Sequence, residues 1–197
     1  MTRADAAWLA VAASLCVTAL VGWVVPRDWI DWQPGAVWHQ PWRAWTAVGV
    51  HYSVEHFWAN LAGVALAGGF GVVARVPARL AVAWLAAWPL THLGLLVKPE
   101  LTHYGGLSGV VHAGVAAVIT CVLITGDRRQ RIVGTLVLIG FVSKLLSEAP
   151  WGAALRHPAG WDIAVAPIVH TTGSLAGALC AALVLLGVPP RASASPR

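Results

Sequence analysis

Six long stretches without a charged residue recur along this chain and constrain its fold more than any other feature. They cover residues 6–26, 57–74, 80–97, 101–126, 132–143 and 163–190. Most approach or exceed the ~20 residues that a helix needs to cross a hydrocarbon core of ~30 Å. Only 11% of all residues are charged, against about 25% in soluble domains. We therefore predict an all-α membrane protein, a bundle of six transmembrane helices.

The polar segments between these stretches are too short to fold separately, so residues 1–190 are predicted to form one domain. The last residues, 191–197, are rich in Ser and Ala and are predicted to be a disordered tail. The first stretch follows Arg3 as a secretory signal would, but no small-residue cleavage motif precedes Trp23, which favours a retained helix. Three cysteines lie inside apolar stretches and predict neither disulfides nor a zinc site.

The distribution of basic residues predicts the orientation of the bundle. With the N-terminus in the cytoplasm, eight Arg or Lys residues fall inside and four fall outside. The inside set is Arg3, Arg75, Arg79, Arg128, Arg129, Arg131, Arg191 and Arg197, and the outside set is Arg27, Arg43, Lys98 and Arg156. This asymmetry predicts that both termini are cytoplasmic. The net charge of +5 is spread over separate helix ends, which favours contact with anionic lipid and argues against nucleic-acid binding.

The segment from residue 26 to 53 is rich in tryptophan and proline. Its tryptophans are Trp29, Trp32, Trp38, Trp42 and Trp45. Indole rings favour the level of the lipid headgroups, where one side of the ring is apolar and the other is wet. We predict that this segment forms an aromatic belt, and an aromatic cage for a ligand is the alternative.

Chemically distinctive polar residues lie where the second, fourth and sixth predicted helices begin. His51, His56 and Asn60 belong to the second, Ser108 to the fourth and His170 to the sixth. In the predicted topology these three helices run in the same direction, so the beginnings share the outer leaflet. Because a serine becomes a nucleophile when a base accepts its proton, the pairing of Ser108 with His170 predicts hydrolytic chemistry.

Small residues near both candidates favour close approach of the two helices. His170, Gly173 and Gly177 are spaced i, i+3 and i+7, and Gly109 lies beside Ser108. Such spacing lets helix backbones pack closely in lipid. We therefore expect a hydrogen bond between the Ser108 hydroxyl and the His170 ring.

Neighbouring groups predict a site for an oxyanion. His56 and Asn60 are spaced i and i+4, so both side chains can donate from one helical face, and the Ser108 backbone N–H adds a third donor. Gly105 and Gly106 permit irregular backbone before the fourth helix. The fourth and sixth stretches contain no carboxylate, which predicts a serine–histidine dyad rather than a triad.

Three motifs together resemble the rhomboid family of intramembrane serine proteases. They are "WRAWTAVGVHYSVEHFWAN" at 42–60, with HxxxxHxxxN spacing, "GGLSG" at 105–109, and "HTTGSLAG" at 170–177. The resemblance implies Ser108 as nucleophile and His170 as base. It also implies His56 and Asn60 in the oxyanion site and Trp42 and Arg43 in a membrane-embedded first loop. His51, Gly106, Gly109, Gly173 and Gly177 support these groups.

The chain departs from the family pattern at two positions. His112 stands where many bacterial rhomboids have a tyrosine that packs on the catalytic histidine, and Ala47 stands where some relatives have another histidine. Within the family, the chain is more similar to the rhombosortase branch. The features that carry this similarity are its short length, "SGVVHAG" and "SKLLSE" at 143–148. That branch implies cleavage of bacterial inner-membrane substrates, near a Gly-Gly pair, on the periplasmic side, without cofactor or metal.

Lys144 and Glu148 are spaced i and i+4 near the outer end of the fifth predicted helix. We predict an ion pair whose side chains extend toward the membrane surface, with contact to the substrate as the alternative. His39, His92, His103 and His157 are assigned to packing or to the membrane interface.

Other function classes make different demands on the same residues. An intramembrane metallohydrolase would use His51, His56, His112 and His170 as ligands, but the chain has no HExxH motif. A catalytically inactive rhomboid-like protein would bind membrane clients, although such relatives usually lose the serine or the histidine. A transporter would be expected to have charged groups near the midplane or repeated broken helices, and the sequence shows neither.

Overall fold

The computed structural model describes residues 1–187, which are mostly helical and contain no β-strand. Residues 188–197, including the tail predicted at 191–197, lie outside the described residues. The α-helices are α1 (Arg3–Gly22), α2 (Arg27–Ile30), α3 (Arg43–Thr46), α4 (Val54–Val73), α5 (Arg79–Leu93), α6 (Ser108–Thr125), α7 (Arg128–Ser147) and α8 (Pro167–Leu186). Short 3₁₀ helices cover Pro34–Ala36, Ala47–Gly49 and Gly94–Val97.

Six helices in the described part of the chain are long and apolar enough to cross a membrane. They are α1, α4, α5 with its 3₁₀ extension to Val97, α6, α7 and α8. Their number and order confirm the prediction of six long apolar helices. The fourth begins at Ser108, after irregular backbone over residues 101–107, as expected from the two glycines. The fifth is longer than predicted, since Asp127 caps its first turn and charged residues continue the helix at both ends.

Helix α6 occupies the centre of the bundle, and small side chains permit this. It packs on α4, α5, α7 and α8, most extensively on α8. Large indoles fill the space beside these small residues: Trp84 packs where Gly114 has no side chain, and its Nε1–H donates to the Val110 carbonyl at 2.8 Å. The rings of Trp8 and Trp84 lie 4.4 Å apart between centroids. A close-packed core thereby fixes the start of α6.

Helix α7 lies at the edge of the bundle. Gly134 is its only buried residue, and its packing is mainly against α6. Apolar side chains such as Leu136 and Ile139 are exposed along its length. A surface of this kind suits contact with lipid chains rather than with protein.

The segment between α1 and α4 is held by one buried ion pair. The Arg43 guanidinium lies 2.8 Å from Asp31 Oδ1, and both side chains are buried. Trp32 is fully buried and bridges by backbone hydrogen bonds to Tyr104, so the prediction that every tryptophan here lies in an aromatic belt is wrong for Trp32. Trp29, Trp38, Trp42 and Trp45 are exposed. The bridge to Tyr104 ties this segment to the loop that precedes Ser108.

Candidate active site

Ser108 and His170 meet at the beginnings of α6 and α8. Ser108 is the first residue of α6, and His170 lies in the first turn of α8. The distance from Ser108 Oγ to His170 Nε2 is 3.0 Å, which confirms the expected hydrogen bond. The His170 side chain is buried, so the hydroxyl and the ring meet away from bulk solvent. A serine in contact with an imidazole nitrogen is the arrangement needed for nucleophilic catalysis.

Close packing of α6 and α8 produces this contact. Gly173 packs on the backbone of Gly109, and Gly177 packs on the backbone of Ala113. A side chain at either glycine would collide with a carbonyl group of α6. The predicted small-residue interface is therefore present, and it carries the serine and the histidine on adjoining turns.

The glycine loop before α6 has a conformation that suits glycine. Gly106 has φ of +138°, a region that residues with a side chain rarely adopt, and its N–H donates to the Ala47 carbonyl at 2.9 Å. A Cβ at this position would lie 3.0 Å from the His56 ring. Gly105 packs still more closely on the Val50 side chain. Residues 105–106 thus contact both the segment before α4 and the first turn of α4. As a result, the His56 ring lies beside Gly106, two residues before Ser108.

The expectation of a dyad without an orienting carboxylate is wrong. Glu148 Oε2 lies 2.7 Å from His170 Nδ1, on the opposite side of the ring from Ser108. The prediction rests on the absence of a carboxylate from the fourth and sixth stretches, whereas Glu148 lies at the end of α7, the fifth long helix. Ser108, His170 and Glu148 therefore form a serine–histidine–carboxylate arrangement.

Glu148 is also the partner of Lys144, as predicted. Lys144 Nζ lies 2.9 Å from Glu148 Oε1, so the two carboxylate oxygens contact different groups. Burial raises the pKa of Glu148, but its hydrogen bond and charge interaction with His170, together with those of Lys144, outweigh burial and lower the pKa to about 2. The side chain is therefore an anion at neutral pH.

His112 packs its ring against the ring of His170. The His112 and His170 rings are stacked, with centroids 4.2 Å apart and an angle of 16° between planes. His112 Nδ1 lies 2.6 Å from the Ser108 carbonyl, and its Nε2 lies 2.6 Å from Lys144 Nζ. His112 therefore packs its ring on His170 and also contacts Lys144.

The side chains predicted to bind an oxyanion are buried, and each has a polar atom without a hydrogen-bond partner among the described residues. His56 Nδ1 and Asn60 Nδ2 are buried without a hydrogen-bond partner among the described residues. His56 lines the same cavity as Ser108, and Asn60 follows one turn later on α4. His51, with Nδ1 3.2 Å from the Gly49 carbonyl, lies beside His56 with ring centroids 5.0 Å apart. A buried, unpartnered polar group beside a serine hydroxyl suits an oxyanion site, and His56 meets this condition, whereas Asn60 does not line the cavity.

A cavity of about 380 Å³ opens beside Ser108. Tyr52, His103, Tyr104 and Leu155 contribute to its wall, together with residues 163–166. Burial raises the pKa of Tyr52 to about 12, and the charge of Asp31 acts in the same direction, so the phenol is neutral. Sequence reasoning did not identify these wall residues, because none of them has a distinctive motif and they come from three separate loops.

The other predicted residues take varied positions. Arg43 and Trp42 lie in the first loop, away from Ser108, where Arg43 pairs with Asp31. His92 is fully buried with Nδ1 2.6 Å from the Ala44 carbonyl, which confirms a packing role. Within residues 1–187, no three His, Cys, Asp or Glu side chains are grouped as a metal site would require. The four histidines of the metallohydrolase alternative therefore do not converge on one point.

No protein-family model matches the chain, and no curated protein matches it.

Proposed function

We propose that this chain is an intramembrane serine endopeptidase that resembles the rhomboid family and its rhombosortase branch. The observation that carries the proposal is the 3.0 Å contact between Ser108 Oγ and His170 Nε2. The nearby unpartnered donors and the cavity beside the serine support it. Among the side-chain hydrogen bonds of residues 1–187, this is the one that joins a serine hydroxyl to a histidine ring, and the serine lines a cavity.

In the proposed reaction, Ser108 Oγ attacks the carbonyl carbon of a substrate peptide bond. Its proton passes to His170 Nε2, and the carbonyl oxygen becomes an oxyanion. His56, Asn60 and the Ser108 N–H donate hydrogen bonds to that oxyanion. The C–N bond then breaks as His170 returns the proton to the leaving amine. Water, activated by the same histidine, hydrolyses the acyl-enzyme and regenerates Ser108.

The proposed substrates are membrane-anchored proteins cleaved near the end of a transmembrane segment. A helical peptide bond is unreactive because its hydrogen bonds are satisfied within the helix, so the segment must unwind before attack. A Gly-Gly pair makes unwinding easier. The cavity beside Ser108 is walled mainly by apolar groups, which fits an uncharged chain.

The proposed location is the bacterial inner membrane. The chain has six helices long and apolar enough to span a membrane, an even number that suits both ends of the bundle on one side, and the excess of arginine predicts that this side is cytoplasmic. Ser108 then faces the periplasmic leaflet. Membrane lipids are the expected partners of the exposed apolar helix faces.

The test is to express the chain with a single-pass reporter that carries a Gly-Gly pair before its anchor. Mass spectrometry of the released fragment identifies the cut site. Cleavage by the wild type but not by Ser108→Ala would support the proposal. Binding of the reporter without cleavage would favour a client-binding protein, and loss of cleavage with a chelator would favour a metallohydrolase.

A further inference from the structure

We infer that Glu148 is a positioning residue that holds His170 in the tautomer able to accept the Ser108 proton, and that Lys144 opposes this tautomer. The inference rests on the proposed function and adds a third group to its mechanism. Its basis is the set of contacts at His170 Nδ1. Glu148 Oε2 lies 2.7 Å from that atom, and Lys144 Nζ lies 3.2 Å from it.

The two contacts require opposite states of the ring. A carboxylate accepts hydrogen bonds, so contact with Glu148 requires a proton on His170 Nδ1. In the neutral ring this leaves a lone pair on Nε2, which faces Ser108 Oγ. An ammonium group donates, so a hydrogen bond from Lys144 requires a lone pair on Nδ1 and a proton on Nε2. That second tautomer cannot accept the serine proton.

Two other acceptors compete with His170 for the N–H groups of Lys144. Glu148 Oε1 accepts from Lys144 at 2.9 Å. His112 Nδ1 must carry a proton, because its partner at 2.6 Å is the Ser108 carbonyl, which can only accept. His112 Nε2 therefore presents a lone pair to Lys144 Nζ at 2.6 Å. Glu148 and His112 thus hold the ammonium group while Glu148 also orients His170.

The outer end of α7 is held by a hydrogen bond to the backbone of Glu148, the residue that follows this helix. Arg156 Nη1 donates to the Glu148 carbonyl at 2.6 Å. Since α7 otherwise buries only Gly134, this contact and the network around Glu148 are what tie its outer end to α8. An ion pair that merely fastens α7 is the competing explanation for Lys144 and Glu148, and it makes a different prediction for the variants.

The experiment uses the full chain in proteoliposomes and a fluorophosphonate probe, which needs no peptide substrate. Ser108 Oγ forms a bond to phosphorus, fluoride leaves, and His170 Nε2 takes the serine proton. The labelling rate at Ser108 therefore reports on the tautomer of His170. The variants are Glu148→Gln, Lys144→Met and the double variant, with the exposed carboxylate Glu100→Gln as the matched control.

Glu148→Gln should slow labelling by roughly 10²-fold or more, because loss of an orienting carboxylate leaves the wrong tautomer. Lys144→Met should label at least as fast as the wild type. The double variant should regain about 10-fold or more over Glu148→Gln, because the competing donor has gone. Glu100→Gln should match the wild type.

Two results would overturn the inference. One is a wild-type labelling rate for Glu148→Gln. The other is equal slowing by Glu148→Gln and Lys144→Met, the result expected if the ion pair only holds α7 in place. If Glu148→Gln does not fold, Glu148→Asp replaces it and should give an intermediate rate, and a wild-type rate there would also contradict the inference. Absence of Ser108 labelling in the wild type would instead count against the proposed function.

Discussion

Gly173 of α8 packs directly on the backbone of Gly109 in α6. Gly109 follows Ser108 by one residue, and Gly173 follows His170 by three. This contact sets the separation between the two helices. A nucleophile and a base on different helices can hydrogen-bond only if the helix axes are close, and small residues permit that approach. The glycines of the α6–α8 interface are therefore part of what assembles the site.

Replacing Gly173 with alanine should separate the helices and weaken the bundle. The added methyl group would meet the Gly109 carbonyl, which cannot move without displacing the start of α6. We expect a destabilisation of about 1–3 kcal/mol, the usual cost of overpacking, and at least a 10-fold loss of turnover. Thermal unfolding in detergent and reporter cleavage measure the two effects.

Gly69→Ala is the matched control for that substitution. Gly69 lies in α4, and no atom would lie within 4 Å of an added Cβ. The variant should unfold and cleave like the wild type. Equal behaviour of the Gly173 and Gly69 variants would refute the role assigned to the interface.

The proposed oxyanion site makes a prediction about turnover. His56→Ala or Asn60→Ala should lower kcat by roughly 10²-fold or more with little change in KM, because the lost hydrogen bond forms only in the transition state. Steady-state kinetics with a reporter segment in proteoliposomes separates the two constants. A variant that changed only KM would show that the side chain binds substrate rather than the oxyanion.

The uncharged stretches are sufficient to predict the six long helices, because the length and the lack of charge of each stretch are local properties of the chain. The contact of Ser108 with His170 was also predictable, since motif spacing and small residues place both at the same helix ends. Glu148 was not assigned to the base. Its contact depends on where α7 ends and on which way its last turn faces, and both depend on packing against α6 and α8.

Trp32 shows the same limit at another position. A tryptophan among prolines and other tryptophans has the composition of an interfacial segment, and four of its neighbours are indeed exposed. Trp32 differs because its backbone pairs with Tyr104, 72 residues later, which places the ring in the core. A pairing between distant loops has no signature in the local sequence.

The proposed orientation predicts which loops are accessible from outside the cell. In a background lacking the native cysteines, we place single cysteines at Arg129, in the first turn of α7, and at Ala159, in the loop before α8. Both positions are exposed. A membrane-impermeant thiol reagent should label Ala159→Cys in intact cells and Arg129→Cys only after lysis. The reverse pattern would invert the orientation and the proposed side of cleavage.

The central claim is that Ser108 is the nucleophile and His170 its base. The most direct measurement is the turnover of a membrane-anchored reporter by the wild type, Ser108→Ala, His170→Ala and the double variant, all reconstituted at equal protein content. We predict that each single variant loses cleavage while still inserting and folding. The double variant should be no worse than either single one, because the two groups act in one step. Near-normal turnover by Ser108→Ala would contradict the account.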